Sequence, residues 1–182
     1  MQPLRTQSRR TLLDHGKYLR VDEHVVEFPD GRTIEHWPWL ILPDFVNVIV
    51  VTRDGRFPCF RQTKYAIEGT SIAPVGGYVE PGEDPLACAR RELLEEAGYE
   101  AAQWTLLGTY PVDANRGAGN AWFYLAEEAR FAGRGESDDL EEQQPLLLTR
   151  AELDAVLDNA EVKALPWVAC FLAALRVLDS RG

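Results

Sequence analysis

The chain has 182 residues, 46% hydrophobic and 26% charged, with 19 Lys and Arg against 29 Asp and Glu, a formal net charge of −10 at pH 7. That length suits one domain with a small appendage, and the composition is too apolar for a disordered chain. The acidic balance argues against a nucleic-acid polymer as partner, which needs a basic surface, but leaves room for a small phosphate accompanied by divalent cations.

Residues 18 to 52 read as β-rich. Val25–Phe28 and Thr33–His36 flank Pro29-Asp30-Gly31-Arg32, where Asp-Gly signals a hairpin. Phe45–Val51 is a nearly unbroken apolar run, as expected of a strand buried on both faces. Asp54-Gly55 then turns the chain into a strand over Phe57–Gln62, and antiparallel pairing of these segments is expected. The clearest helix follows, with Asp84 as N-cap, Pro85 at the first helical position and Gly98 closing it. Strands are expected over Trp104–Val112 and Ala121–Ala126, then a polar stretch Ala132–Gln144 and a short strand Leu146–Leu148. Thr149-x-x-Glu152 is a capping-box pattern opening a helix to about Leu157. A last helix runs from Val162 to Leu178, with Pro166 able to shift its start. The sum is an α+β fold, a mixed sheet covered by helices.

No apolar run approaches the roughly 18 residues that span a bilayer, and the polar, basic Met1–Arg10 shows no secretory signal. Cys59, Cys88 and Cys170 are widely spaced without a Cys-x-x-Cys pair, so a reducing cytoplasm is expected rather than a disulfide framework or zinc site.

The chemistry concentrates on the first helix. At 100° per residue, Glu92, Glu95 and Glu96 share a sector roughly 100° wide, while Leu86, Leu93 and Ala97 share another. Like charges three and four residues apart repel one another, and divalent cations with oxygen ligands compensate them directly. Arg91 can hold one carboxylate in a fixed orientation. Taken alone, Glu-x-x-Glu-Glu fits a solvated acidic face at least as well. Cys88 shares the carboxylate sector, but a hard metal has little use for a thiol, and it reads as a small filler.

From Gly77 to Gly98 the chain reads Gly-x5-Glu-x7-Arg-Glu-Leu-x-Glu-Glu-x-Gly, followed by Tyr99. This resembles the Nudix box at every fixed position, with Tyr99 where an aliphatic residue is usual. The resemblance implies a Nudix-type α/β/α sandwich with a mixed sheet, and a hydrolase of nucleoside diphosphates linked to another group. It implies Mg²⁺ or Mn²⁺ held by Glu92, Glu95 and Glu96. Gly77 would lie close to the metal, and Glu83 would support the loop or a further ion. Arg91, Glu95 and Glu96 then count among the catalytic residues. Gly77 and Gly82 would let the backbone approach metal and phosphate closely.

The order of hairpin, apolar strand, Asp-Gly turn and Arg61-Gln62-Thr63-Lys64-Tyr65 resembles the ADP-ribose and nucleoside diphosphate sugar pyrophosphatase branch. The resemblance implies a β-rich N-terminal subdomain over residues 1–43, a hydrolase domain over 44–182, and contacts exchanged between two subunits of a homodimer. It places Arg61, Gln62 and Lys64 near the substrate, Lys64 standing where the branch has a second arginine. Arg61 reads equally as a strand-end surface cation. Ala73 replaces the branch's usual glutamate four residues before the first box glycine.

An acidic loop after the sheet supplies a glutamate in such enzymes. Here Glu136–Glu142 carries five carboxylates, and Glu141 is the first choice of base, before Glu142 and Asp139. A solvated loop explains any one of them nearly as well. Arg116, among small residues in 113–120, is a candidate substrate contact, although a plain turn suits that segment better. Trp37 and Trp39 are able to stack a base, but a core or interface role suits them better. His15, His24 and His36 sit in no motif. Hydrolysis of triphosphates or dinucleoside polyphosphates, and a non-cleaving nucleotide sensor, are the alternatives. The N-terminal extension counts against the first, and the intact set of three glutamates against the second.

Overall fold

A computed structural model describes residues 2–133 and 143–181. The chain forms two compact units, residues 1–44 with 110–120, and residues 45–109 with 121–182.

In the first unit β1 (Arg5–Asp14), β2 (Arg20–Glu27) and β3 (Thr33–Ile41) form an antiparallel ribbon. The expected hairpin is present: Phe28 N donates to Arg32 O at 2.8 Å and Gly31 N to Phe28 O at 3.0 Å. β1 lies outside the β-rich span read from the sequence. All ten of its residues are exposed, so no apolar alternation announces it; its pairing with β2 makes it a strand. On the other side of β2, Asp22, His24 and Val26 are buried on one face, because successive side chains point to opposite sides.

In the second unit β4 (Phe45–Thr52) runs between β7 (Val75–Tyr78), antiparallel, and the part of β10 (Gly117–Phe131) from Ala121 onward, parallel, which makes the sheet mixed. β8 (Tyr99–Glu100) and β9 (Gln103–Asp113) also pair with β10. The expected pairing of the strands around Asp54-Gly55 is corrected here. Thr52 N still donates to Arg56 O at 2.9 Å, but β5 (Phe57–Gln62) then joins a separate antiparallel sheet, between β6 (Ser71–Ala73) and β11 (Gln143–Leu148). Burial of both strands on both faces is the reason, since each sheet then covers the other's apolar side.

α1 (Pro85–Glu92) begins where expected: Asp84 Oδ1 accepts from Leu86 N and Ala87 N, each at 3.0 Å. Its continuation, Leu93–Ala97, is a wider π-helical turn, closed by Gly98 in the left-handed region at φ 72°. α2 (Arg150–Asp158) opens on a reciprocal capping box, in which Thr149 Oγ1 accepts from Glu152 N and Glu152 Oε2 accepts from Thr149 N. α3 (Leu165–Asp179) starts later than expected, because Pro166 occupies its first turn. Val46, Val48 and Val50 of β4 pack with Ala89 and Leu93, while Ile49 packs with Phe171, Ala174 and Leu175 of α3. Full burial of such side chains contributes roughly 1.5–3 kcal/mol each. The sheet thus carries α1 on one face and α3 on the other, as expected of the α/β/α arrangement.

Candidate functional site

The site begins with the Asp84 cap, which sets the start of α1 and so the directions of the residues after it. Arg91 is its organising group. It forks onto Glu83, with Nε to Oε1 at 3.0 Å and Nη2 to Oε2 at 3.1 Å. Its Nη1 reaches Glu92 Oε1 at 2.8 Å and Glu95 Oε2 at 3.1 Å. One guanidinium therefore joins three carboxylates, as its planar set of donors allows. Glu83 Oε2 also accepts from Glu80 N at 3.0 Å, which ties the 80–83 turn to the helix. The Arg91 hydrogen bonds, supported by the Glu80 amide, pull the Glu83 carboxyl down to about 2. Glu83 in turn raises the Arg91 pKa, so the guanidinium stays charged.

Two glycines of β7 lie against Glu96 and Glu92. Glu96 Oε2 accepts from Gly76 N at 3.0 Å. The Glu92 carboxylate occupies the space in which a Cβ on Gly77 would sit, so any other residue there displaces it. Gly82 works differently: nothing lies within 4 Å of a Cβ placed there, and its φ of 83° is what calls for glycine. Cys88 is fully buried, its thiol donating to Tyr78 O at 3.4 Å. Burial and the negative charge of Glu83 push that thiol up to about 12, which suits a filler and not a nucleophile.

Gly77, Glu83, Arg91, Glu92, Glu95 and Glu96 are thus brought together in one place. Among the described residues, no group of three His, Cys, Asp or Glu side chains is disposed as a ready metal cage. Arg91 and the Gly76 amide take carboxylate oxygens that a cation would otherwise use. The donors themselves are all carboxylate oxygens, the class that suits Mg²⁺ or Mn²⁺. Beside Glu96 lies a cavity of about 170 Å³, bounded by Pro58, Phe60, Tyr99, Phe131 and Leu147.

The other expected residues are more dispersed. Arg61, at the end of β5, is paired with Glu161 at 2.9 Å, each side chain about a third exposed. Gln62 is buried, and its Oε1 has no partner among the described residues. Lys64 is half-buried just beyond the strand. Arg116 sits in a turn capped by Asp113, whose Oδ1 accepts from Asn115 N and Arg116 N at 2.8 Å each; it belongs to the first unit. Glu141, with Asp139 and Glu142, lies outside the described residues. Trp37 donates its indole N–H to Asn115 O at 2.7 Å. Trp39 stacks on His24, with ring centroids 5.3 Å apart. Both tryptophans are therefore engaged within the first unit. His24, which no motif marks, is buried, with Nε2 unpartnered among the described residues.

Sequence reasoning missed Gly76 as the amide that holds Glu96. The doublet Gly76-Gly77 was the available signal, since one glycine serves close approach and the second asks for its own reason. It also missed the π-helical turn, which redirects Glu95 and Glu96 and carries no compositional mark.

Comparison with known proteins agrees with the box. The NUDIX domain family profile matches residues 42–168. The methanol dehydrogenase activator of Bacillus methanolicus is 32% identical over 93 residues, 48% of this chain and 47% of that protein. The ADP-ribose pyrophosphatase of Bacillus subtilis is 30% identical over 118 residues, 62% of this chain and 60% of that protein. A CMP-5'-(N-acetyl-N-hydroxy-3-aminopropyl)phosphonate hydrolase of Streptomyces rubellomurinus is 29% identical over 118 residues, 65% of this chain and 57% of that protein. The matched segments span less than two thirds of each of these relatives. A solved structure described as an ADP compounds hydrolase superposes with a TM-score of 0.84 over 100% of this chain and 97% of that one, at 18% identity. That likeness speaks to the fold.

Proposed function

Because the chain belongs to the Nudix family, whose profile covers residues 42–168, we propose that it is a metal-dependent hydrolase of ADP-ribose or a related nucleoside diphosphate sugar. Water adds to one phosphorus of the diphosphate and the bridging P–O bond breaks, giving nucleoside monophosphate, sugar phosphate and a released proton. The carrying observation is the gathering of Glu92, Glu95 and Glu96 around Arg91 and the Gly76-Gly77 backbone. Two relatives named as hydrolases of nucleotide derivatives, an ADP-ribose and a CMP compound, support the substrate class.

Glu92, Glu95 and Glu96 would hold Mg²⁺, with Mn²⁺ as substitute. When bound, such ions neutralise the diphosphate and make its phosphorus a better electrophile. Arg91 holds Glu92 and Glu95 in place, and Glu83 anchors Arg91. Glu141 is the base in this reading. Arg61, Gln62 and Lys64 bind the diphosphate side of the substrate, Arg61 exchanging Glu161 for phosphate, and Arg116 is the outlying candidate contact. The working form is a homodimer in the cytoplasm. Among the described residues, no helix is long and apolar enough to cross a membrane.

The test is incubation with Mg²⁺ and a panel of ADP-ribose, nucleotide sugars and nucleoside triphosphates, with products separated by chromatography. Nucleoside monophosphate plus sugar phosphate is expected, with activity lost in Glu96→Gln and in chelator. Cleavage of triphosphates alone would overturn the substrate class. Nucleotide binding without turnover would replace the hydrolase with a sensor.

A further inference from the structure

Asn47 breaks the pattern of its strand. Its neighbours on the same face of β4, Phe45, Ile49 and Val51, pack into the apolar cluster with Cys170 and Phe171. Asn47 is only 3% exposed, and its Nδ2 has no partner among the described residues. A buried amide with an unused donor is a cost that a valine at this position avoids. Such departures from local consistency collect where function demands them.

The register shows what lies opposite. Asn47 faces Gly76 across the β4–β7 pair. Gly76 gives its N–H to Glu96, so this is a pair without ladder bonds, in which facing residues come closest. A Cβ on Gly76 would meet Val46 O at 2.5 Å and Asn47 Oδ1 at 2.7 Å, so the β4 backbone and the Asn47 side-chain amide together close over the bare Cα of that glycine. We propose that Asn47 is a positioning residue for Glu96. Its amide fixes the Gly76 peptide, and the Gly76 N–H fixes the Glu96 carboxylate. Asn47 touches neither substrate nor cation and acts through the β7 backbone. The role for the reaction rests on the hydrolase reading given above; the packing of Asn47 on Gly76 does not.

The experiment uses Asn47→Val and Asn47→Ser in the full chain, each of which removes the Asn47 carboxamide from beside Gly76 and leaves Val46 O in place. The first readout is amide hydrogen exchange at Gly76 in metal-free protein, against Val48 and Val50 as internal references. Exchange at Gly76 is expected to quicken about three- to ten-fold in both variants, the loss of roughly one hydrogen bond's protection. Glu96→Gln should quicken it as well. The second readout is hydrolysis of ADP-ribose with Mg²⁺: kcat is expected to fall about ten- to a hundred-fold while KM stays within about two-fold. Asn47→Val should melt no lower than the wild type, which separates positioning from stability. If that variant does not fold, Asn47→Ser decides alone. Unchanged Gly76 exchange, or a uniform rise across β4, overturns the proposal. Wild-type protein inert toward ADP-ribose would sink the hydrolase reading instead, and the exchange result would then decide the packing role by itself.

Discussion

β1 and β4 are both strands, of ten and eight residues, and nothing else about them agrees. Every residue of β1 is exposed, and it is held by its ladder to β2 with polar cross-strand pairs, Arg10 with Glu23 at 2.8 Å and Thr11 with Asp22 at 2.9 Å. β4 is buried on both faces, with Val46, Val48, Ile49 and Val50 at 0–1% exposure. The comparison teaches that a strand can be made by burial or by pairing. Only the first leaves a mark in composition, because burial selects apolar side chains while pairing uses the backbone, which every residue has.

The comparison can be broken from its buried end. Ile49→Ala should cost about 2–5 kcal/mol in chemical denaturation, because the cavity opens against Phe171 in a close-packed core. Ser8→Ala on β1 should move stability by no more than about 0.5 kcal/mol. Equal costs would mean that β1 is covered in solution.

A second test concerns charge in place of packing. Arg91→Lys replaces a forked donor by a point charge that cannot serve Glu83, Glu92 and Glu95 together. Its side chain is about a third exposed, so solvent screening limits the loss to about 1–2 kcal/mol. Hydrolysis should fall much more steeply, and a proportionate loss of both would make Arg91 a plain structural ion pair.

The capping box of α2 sets a smaller scale. Thr149→Ala should cost about 0.5–2 kcal/mol in thermal or urea unfolding. The Thr149 amide and hydroxyl hold the Glu152 carboxyl below its usual 4.5, so this contribution is present above that pH and fades as pH falls through the lower folded value. Glu152→Gln should flatten the fade.

His24 sharpens the contrast within the first unit, since it is a buried ring on β2, stacked on Trp39, opposite the exposed Arg9 of β1. Burial, with the charge of Arg9, lowers its pKa against the opposing pull of Asp22. A depressed histidine contributes stability above its unfolded value of 6.5, and that stability is lost as pH falls toward the folded value. Unfolding measured from pH 8 to 5 should therefore show a downward slope that His24→Phe removes. A slope that survives the substitution would assign the effect to another group.

Much of the site was legible in the sequence. The spacing from Gly77 through Gly98 brought six residues to one place, and Asp84, Pro85, Gly98, Thr149 and Glu152 punctuated the helices as read. These are local signals: a cap or a three-residue spacing needs only one turn of helix to take effect. Asn47 and Gly76 were not legible as a pair. They stand 29 positions apart in sequence and become partners only through the β4–β7 register.

Arg61 and Glu161, a hundred residues apart, show the same limit. From residues alone, Arg61 was an unattached cation whose role stayed open; folding supplied its partner. By itself, then, the order of amino acids determined the box, the N-caps of the first two helices, the buried strand and the acidic character, since each follows from contacts within a few residues or from composition. The tertiary structure alone decided that β4 and β5 enter different sheets, that β1 is a strand, and that the Gly76 amide holds Glu96. Those outcomes depend on which distant segments share a hydrogen-bond ladder, and a ladder joins backbones whatever side chains they carry.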